Sequence, residues 1–309
     1  MINPVDTLFP KKIEDEKTRE ALEEYSKILH EMVCMGTHLL EGSLLKTKGV
    51  YEEYVAPLLF KRILEIIDSI SILVKEGSIR SCEILLRSFV ETGFSLEFLL
   101  EQNVDYRSKC YVVVDIYSKI SRLKKELQQH PDTANANLNY KNNSFLYNDT
   151  PELFDKEKSK ELLKYYEEKL LEPGYDEINK IYLIKCSNKP YSGKVKWYYL
   201  DSNVNNLSQL AIQLKKFDMY DLIYRQYSSP THGDDILNHD LRLSEGNIHV
   251  APLRNYATAP YTANFVLTLG ILYFDLFMAS GLCRPINYYN RWKQLFIPNS
   301  IQKLSQGVR

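Results

Sequence analysis

Apolar residues return every three or four positions over most of this chain, the period of α-helices packed along one face. From about 13 to 43, Leu22, Tyr25, Leu29, Met32, Gly36 and Leu39 recur at those steps. From about 50 to 75, Tyr51, Tyr54, Val55, Leu58, Leu59, Ile63, Ile66, Ile67 and Ile70 build a broad apolar face that Gly77 ends. A third stretch, about 78–101, is apolar nearly all round, which predicts a helix at the centre of a bundle. A fourth, about 104–130, stops before Pro131.

The pattern then changes. Residues 131–150 are Asn-rich and lack apolar periodicity, so they predict a loop or partly disordered insertion. A charged, solvated helix over about 151–171 ends at Pro173-Gly174, and a short helix covers 175–185. Residues 186–203 are irregular. A helix over about 206–217, with Asn206 as N-cap, precedes one over about 218–228 that carries Arg225 and is stopped by Pro230. A polar loop runs to about 256, an apolar helix covers about 259–283, and a short tail bearing Trp292 closes the chain. The expectation is an all-α, multi-helix bundle forming one domain. Its core helices lie at about 13–130 and 206–283, its Asn-rich and charged insertion at about 131–203, and its tail at 284–309.

The apolar run Thr262–Cys283 is long enough to be weighed as a membrane span. Asp275 lies inside it, and Gly270, Ser280 and Gly281 dilute it, so a buried core helix is the better reading and no membrane partner is expected. Nothing at the N-terminus reads as a signal peptide, and the five cysteines are scattered without a Cys-x-x-Cys pair. They predict reduced, buried thiols in a cytoplasmic protein. With 39 Lys+Arg against 40 Asp+Glu, the chain has no global basic footprint, so any contact with nucleic acid must be local.

Four groups of residues carry candidate chemistry. Arg225 and His232 are separated by six residues in Tyr-Arg-Gln-Tyr-Ser-Ser-Pro-Thr-His; a fixed cation beside a titratable imidazole can hold a phosphate and move protons around it. Tyr227 or Ser228 would orient phosphate or ring. The same spacing recurs at Arg242 and His249, so spacing alone does not settle a role. Glu83, Arg87 and Glu91 fall four apart on the third helix, forming one charged stripe on an apolar element. Such a stripe either pairs internally or positions a neighbouring element. His232, Asp234, Asp235, His239 and Asp240 are ligand-capable, and a metal-dependent phosphohydrolase would use His232, Asp235, His239 and Asp240, but the remaining histidines supply no convincing further ligands. No metal or cofactor is therefore expected. Finally, Lys194, Lys196 and Trp197 interleave charge and aromatic surface, as in a single-strand grip or in a surface loop anchored by its Trp.

Taken together, Leu85-Leu-Arg-Ser-Phe-Val-Glu91, Trp197, and Tyr220 followed by Tyr224-Arg-Gln-Tyr-Ser-Ser-Pro-Thr-His-Gly233 resemble a family of helical bacterial proteins, a domain of unknown function. The last stretch is in turn similar to the Arg-x(4–6)-His signature of the HEPN ribonuclease superfamily. The resemblance spans about residues 50–240, matches 131–200 poorly, and departs at Gln226 and Pro230. It implies a HEPN-like helical core and a homodimer that cleaves RNA, tRNA included, without metal. Arg225 and His232 would then be catalytic, with Arg87 and Glu91 in support. It also implies a toxin or anti-phage defence role with a cognate antitoxin or defence partner. The alternative from another class is a non-catalytic helical interaction or sensing module.

Overall fold

The structure is a computed structural model that describes residues 13, 15–129, 156–187, 195–225, 241–244, 247–284 and 287–305. In chain order the helices are α1 (Glu16–Leu44), α2 (Val55–Lys75), α3 (Ile79–Glu101), α4 (Val104–Gln129), α5 (Lys156–Lys169), α6 (Asp176–Ser187), α7 (Tyr198–Asp201), α8 (Leu207–Gln213), α9 (Ala259–Ala279) and α10 (Tyr289–Ser305). A single helical turn, Phe217–Met219, leads directly into a π-helical turn, Tyr220–Arg225. The fold is all-α and multi-helical, with one short antiparallel ribbon, β1 (Leu241–Ser244) with β2 (Asn247–Val250), in the register Leu241↔Val250 and Ser244↔Asn247. The chain groups into two compact units: residues 1–102 with 207–309, and 103–206 between them.

In the first unit, Asp15 caps α1 by accepting from the Thr18 amide at 2.9 Å, and the hydrogen bonds from Thr18 hold its carboxyl below the usual range. Gly77, at φ +68°, ends α2 in the left-handed region that favours glycine. Helix α9 packs on α1, α2 and α3, so the most apolar element is the hub of this unit. Phe60 of α2 stacks on Phe277 at 4.1 Å and meets Phe274 edge-on at 5.3 Å. Gly93 lets Tyr273 press against α3, where a methyl group would overlap the tyrosine ring. Tyr273 is fully buried, and its hydroxyl has no hydrogen-bond partner.

Ala259–Ala279 is, among the described residues, the one helix long and apolar enough to cross a membrane. Its single acid, Asp275, accepts from the Tyr289 hydroxyl at 2.9 Å and from Lys293 Nζ at 2.7 Å, both on α10. Burial, with the Asp275 charge beside it, pushes the Tyr289 phenol well above its ordinary range. The tail expected at 284–309 is thus largely a 17-residue helix, α10, which continues through Pro298. It packs on α1 and α9.

In the second unit α4 carries α5, α6 and α7. Arg107 is 1% exposed, and its Nε donates to Asp201 Oδ2 at 2.7 Å. Tyr117 donates to Asn179 Oδ1 at 2.6 Å and stacks on Tyr182 at 3.9 Å. Lys185 donates to the carbonyl oxygens of Tyr199 and Ser202, and burial lowers its pKa. The fourth sequence helix, expected in the main core, groups with this unit; the Asn-rich stretch 131–150 lies outside the described residues.

The five cysteines are free thiols. Cys82, Cys110 and Cys283 are buried as expected, and burial pushes the Cys82 and Cys110 thiols up to about 12. Cys34 and Cys186 correct the expectation: both lie on exposed helix positions. The Gly93–Tyr273 contact sets a stability test. Gly93→Ala is expected to cost about 1–3 kcal/mol through overpacking. Tyr273→Phe, which removes an unpaired buried hydroxyl, is expected to leave stability unchanged or raise it by up to about 1 kcal/mol. Urea unfolding of both variants checks the pair.

Candidate functional site

Helix α3 carries the charged stripe that the sequence predicted, but the stripe does not pair along itself. Glu83 accepts from Arg80 Nη1 at 2.7 Å. Arg87, one turn further, turns away to the π-helical turn: its Nη2 donates to the Tyr224 hydroxyl at 2.9 Å, and its Cζ lies 4.4 Å from the centre of the Tyr224 ring. The cation therefore has both a hydrogen bond and a ring face. Its other terminal nitrogen, Nη1, is buried and has no hydrogen-bond partner. Among the described residues no carboxylate lies within 4.0 Å of this guanidinium, and Glu91, half-buried one turn beyond, makes no ion pair with it.

The segment that delivers Tyr224 is held on α3 at both ends. At its start, Lys216 Nζ donates to Glu97 Oε2 at 2.6 Å, with both side chains 16% exposed. At its end, Tyr224 meets Arg87. Glu97 and Arg87 are ten residues apart on one helix, about 15 Å along its axis, so the segment runs back along α3. Between the two anchors Phe217, Tyr220 and Tyr224 form an aromatic ladder, with ring centres 5.9 Å and 5.2 Å apart. The turn Tyr220–Arg225 is π-helical, where the sequence predicted a regular helix over 218–228. The wider turn inserts extra backbone, and such turns recur at functional sites.

Of the residues singled out in the sequence, the structure joins Arg87 to the element that carries Arg225. Arg225 ends the π-turn, immediately after Tyr224. Its side chain lies outside the described residues, as do Tyr227, Ser228, His232, Asp234, Asp235, His239, Asp240 and Lys194. Arg242 and His249, the chance repeat of the spacing, are cross-strand partners in the β1–β2 ribbon. Among the described residues no three His, Cys, Asp or Glu side chains form a group that could hold a metal.

Lys196 is exposed, in the second unit. Trp197 does not present a ring for stacking. It is 7% exposed and packs against Tyr111 at 5.6 Å and Tyr198 at 5.7 Å, which makes it the anchor of its segment. Of the two arrangements the sequence allowed for Trp197, its packing is that of the segment anchor. Sequence reasoning missed Tyr224 and Tyr220 as site residues. Their signal was present, as tyrosines four apart beside Arg225, but aromatics at helical spacing are most often core.

The Arg87–Tyr224 contact sets a second test. Tyr224→Phe keeps the ring under the cation and removes the one hydroxyl that Nη2 binds. It is expected to destabilise the protein by about 1–3 kcal/mol, the scale of a hydrogen bond to a charged group. The urea midpoint, compared with that of Tyr220→Phe as a control on the same turn, checks it.

No curated protein and no solved structure matches the chain. A family model does, over residues 53–248, from the turn before α2 into β2, and the matched span includes Arg87, Glu91, Tyr224, Arg225 and His232. By that match, which covers well over half of its length, the chain belongs to DUF5677, a family of unknown function.

Proposed function

We propose that the protein is a metal-independent endoribonuclease of HEPN-like chemistry. In this reading the ribose 2′-oxygen attacks the adjacent phosphorus, the bond to the 5′-oxygen of the next nucleotide breaks, and a 2′,3′-cyclic phosphate remains. Arg225 offsets the charge that develops on the phosphate. His232 takes the proton of the 2′-hydroxyl or returns one to the leaving oxygen. Tyr227 and Ser228 orient the phosphate, while Lys194 and Lys196 add local positive charge for the strand. Two copies of the chain assemble as a homodimer in the cytoplasm, acting as a toxin or anti-phage component.

One observation carries this reading: the residue directly before Arg225 is fixed on α3 by a cation. Tyr224 is clamped by Arg87, so the Arg-x6-His stretch leaves α3 from a defined point beside positive charge. Catalytic arginines must be placed within about an ångström to be useful. A rigid helix with a ring-stacked neighbour supplies that kind of anchor.

A second reading has an observation of its own. Arg87 has an unpartnered buried nitrogen, which suits a non-catalytic module that senses an anionic ligand. Incubation of wild-type and His232→Ala protein with total RNA and with tRNA in EDTA separates the two. The ribonuclease reading expects cleavage by wild type alone, with cyclic phosphate ends. Intact RNA with both folded proteins would turn the assignment to the sensing module, and cleavage restored only by added Mn²⁺ would point to the metal-dependent alternative.

A further inference from the structure

We propose that Arg87 and Tyr224 form a binding site for a phosphate oxyanion of a nucleotide or single strand, which makes Arg87 a ligand-contacting residue and not only a brace for the neighbouring turn. The inference concerns binding and stands or falls separately from cleavage by Arg225 and His232.

A guanidinium taken out of water needs an anion or a full set of acceptors, because an uncompensated buried charge costs several kcal/mol. Arg87 has one acceptor, the Tyr224 hydroxyl at 2.9 Å, and one ring face. Nη1 is buried and has no hydrogen-bond partner. The two acids on the same stripe do not compensate it: Glu83 is engaged by Arg80 at 2.7 Å, and Glu91 forms no ion pair with it. A buried polar atom left unpartnered in this way calls for a missing ligand, water or ion.

The donors present select the ligand's charge. Tyr224 accepts from Nη2, so its own O–H remains to be given. Arg87 Nη1–H and Tyr224 Oη–H are thus two donors on groups already in contact, an arrangement that favours an oxyanion and disfavours a cation. The surroundings select the rest of the ligand. One face of Tyr224 carries Arg87, and from its ring the ladder of Tyr220 and Phe217 runs at spacings of 5.2 Å and 5.9 Å to a Phe217 that is 42% exposed. An exposed ring at the end of such a ladder is a platform on which a base can stack. A phosphate at one end and an aromatic platform at the other describe a nucleotide chain better than a peptide carboxylate or a simple inorganic anion.

The test uses the full-length protein with two probes, inorganic phosphate and a short single-stranded RNA. Phosphate is expected to raise the thermal midpoint of wild type with concentration, as any ligand specific for the folded state does. Arg87→Met, which keeps the stem and removes the charge, is expected to fold, to lower the midpoint in phosphate-free buffer by no more than Tyr224→Phe does, and to lose the phosphate response. The RNA is expected to bind Arg87→Met at least roughly tenfold more weakly, the scale of a lost charge-assisted contact. Phe217→Ala should weaken RNA and leave the phosphate response intact. An equal phosphate response in wild type and Arg87→Met would overturn the site. So would a strongly lowered midpoint of Arg87→Met without phosphate, since the charge would then be compensated within the protein. His232→Ala that binds as wild type but does not cleave supports both proposals; wild type that binds through Arg87 but cleaves nothing leaves this one standing and removes the other.

Discussion

A helix as apolar as Ala259–Ala279 has to be covered, and its covering organises the first unit. Three helices from the opposite end of the sequence, α1, α2 and α3, close on it. The approach is close because small residues allow it: Gly36 of α1 faces Phe274, and Gly93 of α3 faces Tyr273. A bulkier residue at either position would push a whole helix outward, since a packed interior has no spare volume to absorb a side chain. Asp275, the one acid in the helix, is drawn to Tyr289 and Lys293, and that pairing secures α10 on the outside of the same bundle. The position that argued in the sequence against a membrane span is thus the one that joins two helices.

Fixing α3 fixes the candidate site. Gly93 and Arg87 are six residues apart, about 120° around the helix, so the packing that locks one face against α9 sets the direction of the other. The segment from Lys216 to Tyr224 is tied to α3 twice, by an ion pair at Glu97 and by the cation at Arg87. The π-turn between these ties is the local departure from regular helix, and it falls where the chain prepares to present Arg225. Rigidity comes from the bundle, while the departure from ideality is confined to the turn that carries the candidate chemistry.

Periodicity made the long helices legible, because each buries one broad face and nothing else competes for those residues. The ends of α2, α3 and α4 fall within a few residues of the positions read from Gly77, Glu101 and Pro131. What escaped were elements whose partners lie far away in sequence. Helix α10 contains Pro298, which locally argues against a helix, and it is held from outside by Asp275, which no local pattern reveals. The β1–β2 ribbon is only four residues on each side, too short for alternation to stand out in a polar stretch. At the site, the stripe Glu83–Arg87–Glu91 was visible, but all three residues are half-buried and their pairing could not be read locally. Whether Arg87 takes Glu91 or Tyr224 depends on where residues 137 positions downstream return. The packing of Trp197 was out of reach for the same reason, since Tyr111, which it meets, lies far away in sequence.

The contrast among Arg107, Lys216 and Arg87 separates scaffold from site. Arg107 is almost wholly buried, and Asp201 answers it at 2.7 Å; Lys216 is answered by Glu97 at 2.6 Å. Each is compensated within its own unit, and each joins elements distant in sequence, as structural ion pairs do. Arg87 is as firmly held, yet it keeps one buried nitrogen with nothing to bind. A sequence free to optimise stability alone would replace such a residue with an apolar one of similar size at no loss, because buried charges seldom outperform good packing. Keeping the cation, and stacking it on a tyrosine whose hydroxyl still has a proton to donate, makes sense if the missing partner arrives from outside. The same reasoning explains why the anchoring ring is Tyr224 and not phenylalanine: the hydroxyl satisfies one arm of the guanidinium. The stability forgone by keeping an unpartnered Nη1 is then available as binding energy for a phosphate.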